Sequence, residues 1–311
     1  MLNILIPLSG SNTFKVNDNK SFPRILNDVG GKLLIERAAA PFIKLGLSKN
    51  IIVALPKNEA EKYQLDKVIG LLGPEVRTCE INGNTKGAAC SALLAIESLD
   101  LDSPLIISSF EQVLDFDLAP YVKTFIDEQV DAGVLTFEAI HPKWSFVKTD
   151  RNGYVTQAAE KMPISKEAVA GLFYYKTAKL FIEAAKSMIR KDIKTNDSFY
   201  ISPTLNEIIL KEGIVKAIPI DKSKYFHIND EHSLDAFETK VADENDCFKE
   251  KIKSSTCEYV DAFNRKDLNK ISKMLSSEIT LVENNASTVG ADNVITILRD
   301  LFGQASNFSF V

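Results

Sequence analysis

The amino-acid sequence predicts an α/β protein with an open, mostly parallel sheet, flanking helices and a hairpin-bearing flap, followed by a partial α+β domain. Apolar runs of strand length alternate with segments of helical spacing through the first half of the chain, as in parallel sheets with crossover helices. Asn152-Gly153 separates two alternating runs in the second half and indicates a hairpin. The 311 residues exceed one domain of roughly 100–200 residues. We therefore predict domains at 1–242 and 255–311.

The elements of the first half follow from local patterns. Residues 2–8 form a continuous apolar run, which is typical of a strand covered on both faces. Residues 32–45 have apolar side chains at helical spacing and end at Gly46, a favourable helix C-cap. The same reading predicts further strands at 51–55, 76–81, 105–108 and 132–138, and helices at 58–72, 87–99 and 118–128.

The pattern changes in the second half of the chain. The hairpin strands are predicted at 145–149 and 154–158. They are followed by strands at 169–175 and 215–220 and helices at 177–190 and 203–211. Beyond residue 231 we predict helices at 232–242, 248–264, 268–275 and 291–302, with a polar joint at 243–246, a strand at 279–283 and the start of another at 308–311.

Composition and charge exclude several classes of function. The net charge of −5 argues against a general nucleic-acid-binding protein, so an anionic substrate would need a local basic site. The four cysteines form no C-x-x-C pair and only three histidines accompany them, which makes a zinc site improbable. No run approaches the roughly 20 apolar residues of a membrane span, and the N-terminus lacks a basic region and cleavage site. We expect a cytoplasmic protein.

Three segments could bind a nucleotide. Leu8, Ser9 and Gly10 end the first strand, where backbone N–H groups converge on phosphates in open α/β sheets. Pro23 fixes the backbone before Arg24, whose planar guanidinium could hold a phosphate. At 87–89 the sequence is Gly-Ala-Ala, which would let a flat ring approach a helix start. A structural turn, a surface arginine and tight helix–sheet packing are the respective alternatives.

Two further places carry carboxylates. Glu111 follows the predicted fourth strand, a natural position for a Mg²⁺ ligand because Mg²⁺ prefers hard oxygens. Glu160 and Lys161 follow the hairpin, where the carboxylate could accept hydrogen bonds from hydroxyl or amine groups and the ammonium could neutralise a phosphate. The alternatives are a solvated glutamate and an exposed ion pair.

Short motifs occur in a fixed order along residues 1–240. They read PLSGSNTF, FPRIL, VGGKLLIERAA, KGAA at 86–89, FEQ at 110–112, EKMP at 160–163, AGLFYY at 170–175 and FHINDEHSL at 226–234. In this order they resemble the sugar-nucleotide and phosphocholine-type nucleotidyltransferases, which carry L-A-G-G-x-G-x-R, P-K-x-L, N-G-K-P-M-I, G-T-A, G-D, E-K-P, A-G-x-Y-x-F and W-x-D-I-D-T-P-E-D-L. The resemblance implies a glycosyltransferase-A-like Rossmann fold.

The resemblance also implies a reaction. A nucleoside triphosphate, CTP or UTP in preference, would react with a phosphorylated sugar or small amino alcohol or acid, releasing pyrophosphate. The usual setting of such enzymes is the synthesis of surface polysaccharide or headgroup precursors. The expected partners are these small molecules and Mg²⁺, without nucleic acid or membrane.

The resemblance assigns roles to individual residues, which we carry over by motif. Mg²⁺ would be bound by Glu111 with Asn229 or Asp230. Catalytic cations would be Lys15, Arg24 and Lys161. The nucleotide would contact Leu8, Ser9, Gly10, Gly87, Ala88 and Ala89, and the metabolite Glu160, Lys161 and Gly171.

The sequence departs from the family pattern at three of these positions. Phe14 stands where the family has its signature arginine, with Lys15 beside it. Arg24 replaces a lysine and Glu111 an aspartate, which preserves the charge at both positions. Two rival functions follow: a non-catalytic nucleotide-binding module, and a glycosyltransferase of the same fold. The latter usually carries D-x-D at the end of the fourth strand, whereas here the nearest D-x-D is at 115–117.

The tail from about residue 256 resembles the start of a nuclear-transport-factor-2-like (SnoaL-like) domain. The matching text is EYVDAFNRKDLNKISKMLSSEITLVENN, followed by a helix entered at Gly290-Ala291. The match covers about half of such a domain, so we expect the domain at 255–311 to be incomplete. Its uncovered apolar surface favours packing on another part of the chain or a homo-oligomer. The alternative is a helical extension unrelated to that fold.

Overall fold

The computed structural model describes residues 1–8, 14, 16, 22–83, 85–283 and 286–304. Ser9, Gly10, Lys15 and the strand predicted at 308–311 lie outside the described residues. The chain divides into two compact units, Met1–Glu238 and Thr239–Val311. No helix of the described residues is long and apolar enough to cross a membrane.

The first unit contains strands and helices in alternation. Its strands are β1 (Leu2–Pro7), β2 (Asp28–Val29), β3 (Lys32–Leu33), β4 (Lys49–Pro56), β5 (Val76–Ile81), β6 (Leu105–Ile107), β7 (Gln112–Leu114), β8 (Ala132–Glu138), β9 (Ser145–Thr149), β10 (Val155–Glu160), β11 (Glu167–Tyr175), β12 (Val215–Pro219) and β13 (Tyr225–His227). Its helices are α1 (Leu34–Ile43), α2 (Lys57–Tyr63), α3 (Leu65–Gly70), α4 (Ala88–Leu94), α5 (Ala119–Asp127), α6 (Ala178–Arg190), α7 (Thr204–Ile209) and the first part of α8 (Glu231–Asn264).

A mixed nine-stranded sheet forms the centre of this unit, with the order β10-β9-β11-β6-β1-β4-β5 and with β8 between β11 and β12. The strands β6, β1, β4 and β5 are parallel to their neighbours within this half of the sheet. The predicted α/β class with parallel strands and flanking helices is therefore confirmed. The Asn152-Gly153 hairpin is confirmed as well, because β9 and β10 pair antiparallel across it.

Burial explains why these strands form. Leu2–Ile6 of β1 is buried along its whole length, as expected for a strand covered on both faces. On one face, Leu5 and Ile52 of the sheet share a core with Ala89 and Ala92 of α4 and with Phe181 of α6. The small side chains of α4 let this helix approach the sheet closely.

The second unit has its own small core. It contains the end of α8, α9 (Leu268–Met274), the antiparallel pair β14 (Thr280–Glu283) and β15 (Ala286–Val289), and α10 (Ala291–Gln304). Its buried apolar side chains are Ala262, Phe263, Ile271, Val294, Ile295 and Leu298.

One prediction for the tail is wrong. The polar joint expected at 243–246 does not exist, because α8 runs without interruption from Glu231 to Asn264. The segment contains no Gly or Pro to end a helix. Ion pairs between Lys240 and Glu244, at 3.3 Å, and between Asp246 and Lys249, at 3.1 Å, connect successive turns across the expected joint. Charge at these positions supports the helix.

Candidate active site

A cavity of about 670 Å³ opens at the carboxyl ends of β1 and β6. The chain leaves β1 toward β4 on one side and later returns to β6 on the other, so this is the switch point of the parallel sheet, where ligands of open α/β folds bind. The cavity is lined by Pro7, Leu8, Thr85, Gly87, Ala88, Ile107, Ser108, Ser109, Glu111, Ser145, Glu160, Gly171, Phe173, Ser198, Tyr200, Ile201 and Ser202.

A change of strand partner creates the space. One edge of β11 pairs with β9 at Glu167 and Ala168 and with β6 only from Phe173 onward. The stretch between them bulges, and the register against β8 shifts between Val169 and Phe173. Gly171 lies in this bulge with φ +58 and lines the cavity.

Glu111 lies in the loop after β6 and lines the cavity. Its backbone N–H donates to Ser109 Oγ at 3.0 Å, and its carbonyl accepts from the Ile228 N–H at 2.8 Å. The second bond extends the antiparallel pairing of β7 with β13. Asn229 and Asp230 therefore directly follow a residue that is bonded to Glu111, although more than 100 positions separate both of them from Glu111 in the sequence.

Asp230 has a structural task at the start of α8. Its Oδ1 accepts a hydrogen bond from the Ser233 N–H at 2.8 Å. The hydrogen bond from the Ser233 hydroxyl, followed by the one from the Ser233 N–H, holds the pKa of Asp230 below its usual value. Arg24 lies beside the same helix start, with Nε 3.6 Å from Glu231 Oε1. The structure thus brings Arg24, Asn229 and Asp230 to one place.

Glu160 faces the cavity from the end of β10 and is held by two hydroxyls. Ser145 Oγ and Ser202 Oγ donate to its Oε2 at 2.5 and 2.6 Å. Burial raises the pKa of Glu160, and the two serine hydrogen bonds oppose that rise.

Lys161 has φ +54. Its Nζ donates to the Tyr200 hydroxyl at 2.6 Å and lies 4.7 Å from the ring centroid. The alternative of an exposed Glu160–Lys161 ion pair is not what the structure shows.

The Gly-Ala-Ala segment is divided between the cavity and the core. Gly87 and Ala88 line the cavity, whereas Ala89 is fully buried under the sheet. Gly87 has φ +112, and a Cβ there would be 2.5 Å from the carbonyl oxygen of Phe199. The Ala89 N–H donates to that oxygen at 3.1 Å. Glycine is therefore required for a close approach between two backbone segments, both of which contribute to the cavity wall.

Gln112 supports the wall from beneath. It is buried, and its Nε2 donates to Ser108 Oγ at 2.9 Å and to the Gly171 carbonyl at 3.0 Å. Tyr225 donates to Gln112 Oε1 at 3.2 Å. A Cβ on Gly171 would lie 2.1 Å from that oxygen. The network joins three strands and fixes the loop that carries Glu111.

Sequence reasoning missed the hydroxyl groups that line much of this cavity. Among them are Ser145, Ser198, Tyr200 and Ser202. Three of these occur in SFYIS at 198–202, between α6 and α7. A hydroxyl-rich loop after a helix is a weak signal, because its contact with Glu160 depends on the packing of distant segments.

The D-x-D at 115–117 lies elsewhere. Asp115, Phe116 and Asp117 line a separate groove that also includes Lys32, Glu36, Arg37, Ala40, Pro41, Lys44, Val113 and Leu114. Asp115 pairs with Lys224 at 3.3 Å, and Asp117 Oδ1 accepts from the Ala119 N–H at the start of α5. These carboxylates form an ion pair and a helix cap outside the cavity.

Within the described residues, no group of three or more His, Cys, Asp or Glu side chains could hold a metal ion. A divalent cation here would therefore be held by one or two carboxylates with an amide and with oxygens of the substrate, which is the usual manner for Mg²⁺.

Comparison with known proteins identifies the fold. No family model and no curated protein matches the sequence. Among solved structures, a nucleoside-diphosphate-sugar pyrophosphorylase from Vibrio cholerae RC9 is 20% identical with a TM-score of 0.66, covering 77% of this chain and 100% of that one. A putative glucose-1-phosphate thymidylyltransferase from Bacillus anthracis, in complex with a sucrose, is 19% identical with a TM-score of 0.62, covering 78% and 95%. The chain therefore shares the fold of these structures.

Proposed function

We propose that this chain is a nucleotidyltransferase that transfers a nucleoside monophosphate from a triphosphate to a small phosphorylated metabolite and releases pyrophosphate. One observation carries the proposal: Glu111 and Glu160 line the same cavity at the switch point of the sheet. That position suits a nucleotide in this kind of fold. The two solved structures with the same fold are described as a pyrophosphorylase and a putative thymidylyltransferase.

The cavity wall supplies positions for both substrates. Backbone atoms of Leu8, Gly87 and Ala88 would lie against the nucleotide. Glu160, whose carboxylate is oriented by Ser145 and Ser202, would accept hydrogen bonds from the metabolite. Lys161 would attract the phosphate group of the metabolite through its positive charge. The attacking phosphate oxygen is already ionised at neutral pH, so the residues need to align it with the α-phosphate and require no general base.

A magnesium ion fits the donor set. The Glu111 carboxylate and the Asn229 amide oxygen are hard donors on backbone segments bonded to each other through Ile228. Asp230 is the weaker of the two acidic candidates because Oδ1 already caps α8. Bound there, Mg²⁺ would neutralise charge on the phosphates. Arg24 would add positive charge from beside α8, and Lys15 belongs to the same proposal.

The finer assignments are also proposals. CTP or UTP is the preferred triphosphate, and a sugar phosphate or phosphorylated amino alcohol or acid is the acceptor. Surface-polysaccharide or headgroup precursor synthesis in the cytoplasm is the proposed setting. The region at 255–311 is proposed as a partial nuclear-transport-factor-2-like domain.

A nucleotide-binding module without catalysis is the second candidate. Phe14, which is half-buried, stands at the position of the family's signature arginine and favours this reading. A glycosyltransferase receives less support, because Asp115 and Asp117 form the helix cap and ion pair described above outside the cavity.

Pyrophosphate release separates these functions. The full chain is incubated with Mg²⁺, each of the four ribonucleoside triphosphates and dTTP, and a panel of sugar and amino-alcohol phosphates, and pyrophosphate is measured. Calorimetry with each triphosphate is run in parallel. Release that requires both substrates supports the transferase. Binding without release supports the module, and the absence of both rejects the two functions together.

A further inference from the structure

Within the part of the chain that the structure describes, no element covers a long stretch of α8. Every side chain at 242–258 is exposed. Helices in proteins owe most of their stability to packing of an apolar face, so an uncovered segment of this length needs another source of stability. The ion pairs within the helix support it only weakly, because they are exposed, so they do not replace the packing of an apolar face.

The exposed segment carries a narrow apolar row. Phe248 is 63% exposed and Ile252 is 51% exposed. They are the large apolar side chains of 242–258, and the others are charged, hydroxyl, amide or small. With Asn245 and Ser255 they form a row whose spacing alternates between three and four residues, which we call the α8 seam. Such spacing is the repeat of a two-stranded coiled coil.

We propose that the α8 seam pairs with the α8 seam of a second copy of this chain as a parallel, in-register coiled coil. In heptad terms Asn245 and Ile252 occupy a positions, and Phe248 and Ser255 occupy d positions. The exposed row ends there, because at the same spacing Val241 is buried and Tyr259 packs against the core of the second unit. In register, each seam residue meets its own copy. An Asn at a single a position selects the two-stranded, in-register arrangement, since each amide then finds the other.

Charge complementarity favours the parallel orientation. Glu244 and Lys249 flank the seam at g and e positions five residues apart, so in a parallel pair each Glu244 faces Lys249 of the second copy. An antiparallel register could also pack Phe248 of one copy on Ile252 of the other. In that register Lys249 would face Lys249 of the other copy, and Lys251 would face Lys251. The same register would also place Glu244 against Glu258. Like charges oppose that register, and unlike charges support the parallel one.

The existing ion pairs are compatible with this arrangement. Glu244 lies 3.3 Å from Lys240 and Lys249 lies 3.1 Å from Asp246, all within one helix. Both Glu244 and Lys249 remain well exposed, so each can reach a second partner across the seam. The four groups would then form a network on each side of the pair.

Sedimentation equilibrium of the full chain tests the pairing. We expect a dimer whose dissociation constant rises by at least about tenfold in Phe248→Lys/Ile252→Lys, because the lysines replace the buried apolar row with like charges. The control Ser254→Lys/Cys257→Lys places the same charges on the opposite face and should leave the dissociation constant unchanged. Circular dichroism checks that helix content is equal in all three proteins. A monomer at every concentration, or equal effects of the two variants, overturns the proposal.

Two further variants test orientation and register. In a Cys247→Ser/Cys257→Ser background, Ser255→Cys should form an interchain disulfide under mild oxidation, because Ser255 lies in the seam and meets its own copy. Ser254→Cys should not, because Ser254 lies outside the seam. Glu244→Lys should weaken the dimer, and Glu244→Lys/Lys249→Glu should restore it. Absence of the Ser255→Cys cross-link, or failure of the double variant to restore the dimer, contradicts the parallel coiled coil.

Discussion

Glu111 and Asp230 differ in their place relative to the cavity. Glu111 lines the cavity, whereas Asp230 caps α8 through Ser233 and is not among the described lining residues. We therefore predict that Glu111→Gln lowers the rate of pyrophosphate release on the order of a hundredfold, since an amide is a poor Mg²⁺ ligand of the same size. The rate is measured across Mg²⁺ concentrations, with thermal unfolding as the check on folding.

Asp115→Asn is the matched control for this prediction. It removes the same charge from a carboxylate in the separate groove, where it pairs with Lys224. Its rate should equal that of the unmodified chain. Equal losses in the two variants, or an unchanged rate in Glu111→Gln at limiting Mg²⁺, would remove Glu111 from the metal site.

Glu160 is predicted to act on the metabolite. Glu160→Gln should raise the KM for the phosphorylated metabolite by about tenfold, because a hydrogen bond to a charged acceptor is lost, while the KM for the triphosphate changes little. Glu167→Gln is a matched control: Glu167 Oε2 also accepts a hydroxyl hydrogen bond, from Thr149 at 2.7 Å, but does not line the cavity. Equal changes in both Michaelis constants would indicate a structural role for Glu160.

The same residue predicts a pH dependence of stability. Burial raises the pKa of Glu160, despite the hydrogen bonds from Ser145 and Ser202. A carboxyl whose pKa is raised on folding contributes stability that is present below its unfolded pKa, about 4.3 for Glu, and is lost as the pH rises through the folded value. Relative to Glu160→Gln, the unmodified chain should therefore lose free energy of unfolding as the pH rises from 4 toward neutrality. Urea titrations of both proteins measure this difference, and a difference that is constant or grows with pH contradicts the prediction.

At the scale of elements, the start of α4 and the loop at 198–202 form one unit of the cavity wall. Phe199 N donates to the Lys86 carbonyl at 2.7 Å, and Phe199 O accepts from Ala89 N. Gly87→Ala would place a Cβ 2.5 Å from Phe199 O, at a φ of +112. We predict a loss of about 1–3 kcal/mol of stability and weaker triphosphate binding.

Gly83→Ala is the control for the effect of positive φ alone. Gly83 has φ +80, and apart from its chain neighbours no atom of the described residues lies within 4 Å of its Cβ position. Its stability loss should be smaller than that of Gly87→Ala, and triphosphate affinity should not change. Urea unfolding and calorimetry measure the two effects. If both variants behave alike, the contact with Phe199 does not determine the wall.

Elements with strong local patterns could be predicted from the sequence. The strand predicted from the run at 2–8, the hairpin around Asn152-Gly153 and the strand before Glu111 were confirmed because their periodicity and turn residues are local signals. The prediction of a joint at 243–246 also relied on a local signal, and it was wrong. A polar cluster is typical of a loop, but it also forms i,i+4 and i,i+3 ion pairs on an exposed helix, as Lys240–Glu244 and Asp246–Lys249 do.

The candidate site residues that line the cavity were found by their place in predicted elements. Leu8 ends a predicted strand, Glu111 and Glu160 follow predicted strands, and Gly87 and Ala88 begin a predicted helix. The groups that orient them could not be found in this way. Ser202 is 42 positions from Glu160, and Tyr225 is 113 from Gln112. Contacts over such separations depend on tertiary packing, and no periodicity in a single sequence encodes them.

At the scale of the whole molecule, the negative charge of the chain and of its cavity disfavours the binding of an anionic substrate. The chain carries a net charge of −5, and two carboxylates line the cavity. A triphosphate would add more negative charge at the same place, so binding needs cations. Arg24 already lies beside Glu231, which partly neutralises it. We therefore expect the proposed reaction to require Mg²⁺.

The distribution of the cavity residues along the chain gives the last prediction. Every described residue that lines the cavity belongs to the unit Met1–Glu238, and the second unit has a separate core around Phe263 and Ile271. The buried side chains Leu234, Phe237 and Val241 of α8 should be kept, so the shortened chain ends at Asp243. We predict that it folds, binds triphosphate with unchanged affinity and releases pyrophosphate at the rate of the full chain. It should also be a monomer by light scattering, because it lacks the α8 seam. Calorimetry and the pyrophosphate assay compare the two chains at equal concentration. A shortened chain that keeps its circular dichroism spectrum but loses triphosphate binding would show that the second unit contributes to the site.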